Sequence, residues 1–213
     1  MYEPAVAQDP DEVNQILAPA TKVNYAVGKW RYSGEFQVRL DEDYRALNVW
    51  YLEGVVTNLR FKHVEFVPDL RFSVKPSVTE VRPGFGVILK ATGPKWQVAS
   101  QSKYQADIPN EGPTGHGVRQ VLFASVLWKE KLIPSLVGGG FYRWRDEFND
   151  IEFWRAGGGV TYVFDPFHTL NVSYFFGWEN TGAEWTRSGF LLVQLSLNIR
   201  NDWKYVPAKI VNF

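Results

Sequence analysis

Three histidines are the first residues to weigh for chemistry: His63, His116 and His168. A metal site needs His, Asp or Glu ligands clustered by short spacings, and no two of these histidines are close in sequence. His116, in "NEGPTGHG", reads as a loop residue among turn formers. His168 follows "DPF" and reads as part of a tight turn. The chain has no cysteine, which excludes a disulfide framework, a thiol nucleophile, a Cys-based metal site and an acylated lipoprotein cysteine. No catalytic residue, metal or cofactor is therefore expected, and the chain reads as no enzyme. The charges look more productive. Arg31, Glu35, Arg39, Arg71, Arg82, Lys90, Lys103 and Arg155 fall in mid-segment on one side of alternating stretches, with Gly84, Gly86, Gly157 and Gly159 on the same side. Paired, such charges would cross-link an interior; unpaired, they would attract a small polar solute, anionic because Lys and Arg outnumber Asp and Glu on that side.

Those residues belong to a strict two-residue pattern. In "KWRYSGEFQVRLD", Trp30, Tyr32, Gly34, Phe36, Val38 and Leu40 alternate with Lys29, Arg31, Ser33, Glu35, Gln37, Arg39 and Asp41. Side chains alternate faces along a strand, so the stretch is a strand with one apolar and one charged side. The alternation continues over about 23–41, 45–58, 64–76, 79–92, 95–107, 116–129, 132–145, 151–164, 168–179 and 185–200. An all-β fold of about ten antiparallel strands (eight to twelve) follows. One helix is expected before them, in "DPDEVNQILA" (9–18), where Asp9 can cap, Pro10 suits the first turn and Glu12 completes a capping box.

The charge balance of zero over 213 residues gives no footprint for nucleic acid. No apolar run reaches the length of a membrane-spanning helix, and no basic-then-apolar leader opens the sequence, so a signal peptide would have been removed. The apolar side concentrates rings at strand ends. Trp30, Trp96, Trp128 and Tyr162 lie next to the connections read as short; Trp50, Tyr104, Trp144, Trp154 and Trp178 lie next to those read as long. Two belts of amphipathic rings separated by about 19 Å are what the two interfaces of a membrane demand.

Over 23–200 this pattern resembles a small bacterial outer-membrane β-barrel, closed and up-and-down. The resemblance implies lipid and lipopolysaccharide around the barrel and residence in the outer membrane. It also implies a short N-terminal periplasmic segment (1–22) that could reach the lumen, and longer outer loops at 108–117, 146–150 and 180–185 able to meet a protein partner. Phe213 is similar to the terminal aromatic of such proteins, although Pro207 and Lys209 interrupt the approach to it, so 201–213 reads as a tail or an extra edge strand. Neither "GHGVRQ" nor "HTLNVS" matches the His-x-Ser-Asn element that barrel lipases and deacylases share, which argues against a Ser-His hydrolase. "GKW" (28–30) resembles the Gly-x-Trp of lipocalins and keeps a soluble ligand-binding barrel as an alternative. The expected function is a small channel or binding barrel for small polar, anionic solutes; a structural, partner-binding barrel with a filled lumen is the other outer-membrane reading.

Overall fold

A computed structural model describes residues 13–41, 44–146, 148–180, 182–203 and 207–208. They form a closed barrel of eleven strands. In chain order these are β1 (Val13–Gly28), β2 (Trp30–Asp41), β3 (Ala46–Asn58), β4 (Val64–Val74), β5 (Thr79–Thr92) and β6 (Trp96–Pro109). Then come β7 (Gly115–Val126), β8 (Leu132–Arg145), β9 (Phe148–Asp165), β10 (His168–Asn180) and β11 (Trp185–Trp203). Each strand pairs with its sequence neighbour in antiparallel fashion, and β1 and β11 close the barrel in parallel, from Val13 against Arg187 to Gly28 against Trp203.

The odd count corrects two expectations. The helix expected over 9–18 is absent where the structure describes it: Val13–Ala18 is the start of β1, and Asp9–Glu12 lie outside the described residues. The stretch 23–41, read as one strand, is two, folded at Lys29 by Gly28 with φ 58°. A left-handed residue at that point is what a tight hairpin requires and what glycine supplies without steric penalty. With eleven strands, β1 starts at one end of the barrel and β11 finishes at the other. We call these the N-terminal and C-terminal ends.

Loop lengths fail to divide the ends as well. At the C-terminal end the connections are Lys29, 59–63, 93–95, 127–131 and 166–167; at the N-terminal end they are 42–45, 75–78, 110–114, 146–147 and 181–184. The segments 108–117, 146–150 and 180–185, expected as long loops, are shorter connections flanked by strand: β6 and β7 take 108–109 and 115–117, β9 takes 148–150, and β10 and β11 take 180 and 185. His116 is accordingly a strand residue facing outward. Its Nδ1 lies 2.7 Å from the Tyr104 hydroxyl, and its ring stacks on Tyr104 and Trp144.

The faces sort as the alternation requires. Trp30, Trp96, Trp128, Tyr104, Trp144, Trp154 and Tyr162 are exposed on the outer side, with Trp50 and Trp178 half-buried among their neighbours. Trp154 and Trp178 sit opposite each other on β9 and β10, ring centroids 4.2 Å apart. The rings are less confined to strand ends than the sequence suggests, since Phe36, Phe85 and Tyr174 lie outward in mid-strand. A polar patch also interrupts the outer face. There Ser102 donates to Gln120, and Gln120 donates to Ser100 at 2.7 Å, so the three satisfy one another.

Candidate functional site: a divided lumen

The inner face is where charge is buried. Glu35, Glu53, Glu65, Arg71, Glu80, Lys90, Lys103, Asp107, Arg119 and Arg155 are all buried in the barrel interior. A carboxylate or ammonium removed from water without a partner would be very costly, so such an interior persists only if it is paired. The pairing is dense. Arg71 donates to Glu53 at 2.9 Å, and Lys103 lies 2.6 Å from Asp69 and 3.4 Å from Glu53. Lys22 lies 3.2 Å from Glu35, which also accepts from the Tyr51 hydroxyl at 3.0 Å. The Arg71 guanidinium lies 4.0 Å from the centre of the Tyr51 ring.

This ionic layer, carried by β1 to β7, crosses mid-lumen on one side. On the other side the inward residues turn apolar: Ile16, Ala18 and Ala20 of β1 pack with Val121, Phe123, Val137, Phe175, Phe190 and Leu192. Together the two halves fill the middle and leave a cavity at each end.

The C-terminal cavity, about 570 Å³, is lined by polar groups such as Lys22, Asn24, Arg31 and Asn171 and by Val55, Val67, Ile88 and Ile133. The chain's own C-terminal segment enters it. Pro207 and Ala208 are buried there; the Ala208 N–H donates to Glu65 Oε1 at 2.8 Å, and Gln97 donates to the Pro207 carbonyl at 3.4 Å. Glu65 Oε1 also lies 2.5 Å from Lys90 Nζ. Ala208 packs on Val67, Ile88 and Ala99. The tail of the sequence is therefore a lumen occupant at these two residues rather than an extra edge strand.

The N-terminal cavity, about 270 Å³, is strongly basic. Arg39, Arg71, Lys75, Arg82, Arg119, Arg143 and Arg155 line it, against Glu152 and Glu179. Some of the cations are held from behind by acids outside the lining. Glu80 faces Arg82 at 2.8 Å and Lys75 at 3.4 Å, and Asp107 faces Arg82 at 2.5 Å and Arg143 at 2.8 Å. Arg143 also meets Glu152, and Arg155 meets Glu179. Arg119 lines both cavities.

Every residue expected to line the lumen does face inward: Arg31, Glu35, Arg39, Arg71, Arg82, Lys90, Lys103 and Arg155, with Gly84, Gly86, Gly157 and Gly159. The structure distributes them. Arg31 and Lys103 border the C-terminal cavity; Arg39, Arg71, Arg82 and Arg155 border the N-terminal one; Lys90 is sealed against Glu65. The glycines do not hollow out a groove. A Cβ at Gly84 would stand 2.6 Å from Lys103 Cε and 2.7 Å from Asp69 Oδ1, so the ion pair occupies the space a side chain would take. At Gly157 a Cβ would run into the β10 backbone at Tyr174 and Phe175, and at Gly159 into Ser173 and Val172. These two glycines let β9 curve tightly against β10, the bend that closes a narrow barrel.

Sequence reasoning missed Tyr51, Glu65 and Phe190 as interior constituents that matter. Strict parity would have found Glu65, because it shares its face of β4 with Arg71. Phe190 is less legible: it breaks the polar side of β11 between Ser188 and Gln194. Among the described residues no group of His, Asp or Glu could hold a metal ion.

No protein-family model, curated protein or solved structure matches this chain.

Proposed function

We propose that the protein is an outer-membrane β-barrel that holds small polar, anionic solutes in its lumen instead of passing them through. The observation that carries the reading is the inversion of the faces: charge is buried inside and paired, while large apolar side chains stand exposed around the barrel. Leu52, Leu70, Leu89, Leu122 and Leu136 are each more than half exposed on five different strands. In water so much exposed apolar surface is an association liability, whereas lipid is its natural solvent. A soluble ligand-binding barrel would place its apolar face inward, which is the opposite arrangement. Closure of the sheet fits this reading, since in lipid every edge N–H and C=O must be satisfied.

Retention rather than transit rests on the layer between the two cavities. Side chains just fill the interior of a barrel of about eight strands, and in this one of eleven they fill it in part, leaving the two cavities. The test has two parts. The purified protein should require detergent and run at different gel positions before and after heating. Reconstituted into planar bilayers, it should show no steady conductance. A protein that stays monodisperse without detergent contradicts the membrane reading, and an open conductance contradicts retention.

A further inference from the structure

The N-terminal cavity contains a guanidinium group, that of Arg39, which the ion-pair network among the described residues does not account for. Arg39 of β2 and Arg155 of β9 approach the same aromatic ring: their guanidinium carbons lie 5.0 Å and 5.1 Å from the centre of Phe190. Arg155 has Glu179 as a partner. Arg39 donates Nε to Gln37 at 2.9 Å and lies over Tyr51 and Phe190, and among the described residues no carboxylate is within ion-pair distance of it. Two cations converging on one ring in a water-poor interior repel each other; Glu179, Glu152 and Asp41 offset the charge of Arg155, which leaves Arg39 as the group an arriving anion would satisfy.

We propose that Arg39 and Arg155 form a clamp for a small oxyanion, a carboxylate or a phosphate group, held between the two guanidinium groups beside Phe190. Arginine is suited to this role, because its planar fork of donors matches two oxygens at once. A cavity of about 270 Å³ has room for a group the size of a phosphate or a four-carbon dicarboxylate. Lys75 and Arg143, also in the lining, are paired with Glu80 and with Asp107 and Glu152, so the charge left for an anion is concentrated at Arg39. The proposal rests on the solute-holding part of the function proposed above and specifies its site and ligand class.

Calorimetric titration of the full chain in detergent with inorganic phosphate, sulfate and succinate tests it. Saturable binding of at least one of these, one per chain, is expected; preference for phosphate or for succinate separates the two kinds of oxyanion. Arg39→Gln should weaken binding by about tenfold or more, the scale of a lost charge-assisted contact. The same variant should leave the ligand-free melting temperature unchanged or higher, because a like-charge contact is relieved. Arg145→Gln, at the end of β8 outside the cavity lining, should bind as the wild type does. No saturable binding by the wild type, or equal binding by Arg39→Gln, overturns the clamp. A fall in ligand-free melting temperature in Arg39→Gln also overturns it, because Arg39 would then be a structural cation. Detergent dependence and conductance report on the membrane reading separately, so either conclusion can fail without the other.

Discussion

At the residue scale the lumen is governed by the rule that a buried charge persists only with its partner. Arg71 is the sharpest case. Replacing it with Met takes the 2.9 Å guanidinium contact away from the buried Glu53, and Lys103, 3.4 Å from Glu53, is already engaged by Asp69. Arg71→Met should therefore destabilise the barrel by about 3–5 kcal/mol, and the double variant with Glu53→Gln should recover most of that loss, as read by urea unfolding. A rim residue behaves differently. The hydrogen bond from His168, followed by that from the Phe167 N–H, holds the Asp165 carboxyl below the ordinary aspartate range. A carboxyl depressed in the folded state stabilises above its unfolded value, near pH 4, and that contribution is lost as pH falls through the folded value. Melting temperatures of wild type and Asp165→Asn should differ above about pH 4 and converge below it.

At the element scale the legible part of the sequence was the alternation, and its gaps have a physical cause. Nine of the strands lie within a few residues of where the two-residue pattern puts them, from β3 to β11; in most of them the inner face is polar and the outer face apolar, whereas β8 turns Ile133, Val137 and Phe141 inward. β1 was illegible over Val13–Thr21. There the inward Ile16, Ala18 and Ala20 pack on Phe190 and Leu192 while the outward Val13, Leu17 and Pro19 are apolar too, so no contrast between faces exists. Asp9 and Pro10 then supplied a helix-start signal with nothing local to oppose it. The inward charges were legible for the same reason that the strands were; the lumen's division was not, because it depends on which strands face each other across the interior. Leu52, at the centre of β3 and outward, makes the element-scale prediction. Leu52→Arg should cost about 2–4 kcal/mol if the position meets the bilayer midplane. In water, a change at so exposed a site would cost within about 0.5 kcal/mol. Ser196→Arg, half-buried on the inward side of β11, tests the opposite face and should not show that depth-dependent cost.

At the scale of the whole molecule, the barrel has two blind cavities with a different occupant logic at each end. The C-terminal one holds Pro207 and Ala208, fixed by Glu65 and Gln97. Ending the chain after Trp203 should make that cavity accessible to small hydrophilic reagents without creating conductance, because the ionic layer from Glu35 to Arg119 and the apolar cluster around Phe175 still fill the middle. Conductance in the truncated protein would place the barrier in the tail. Deleting Val13–Ala20 is a different operation: it removes half of a wall strand and the parallel pairing with β11, and a loss of folded protein is expected instead of an opened channel. The central claim, that the apolar outer surface is solvated by lipid, can be tested with a single label, since the chain has no cysteine of its own. Leu52→Cys carrying an environment-sensitive fluorophore, in liposomes whose acyl chains bear a mid-depth quencher, should emit as in hydrocarbon and be strongly quenched. Water-like emission, quenched by aqueous iodide and indifferent to the acyl-chain quencher, would contradict it.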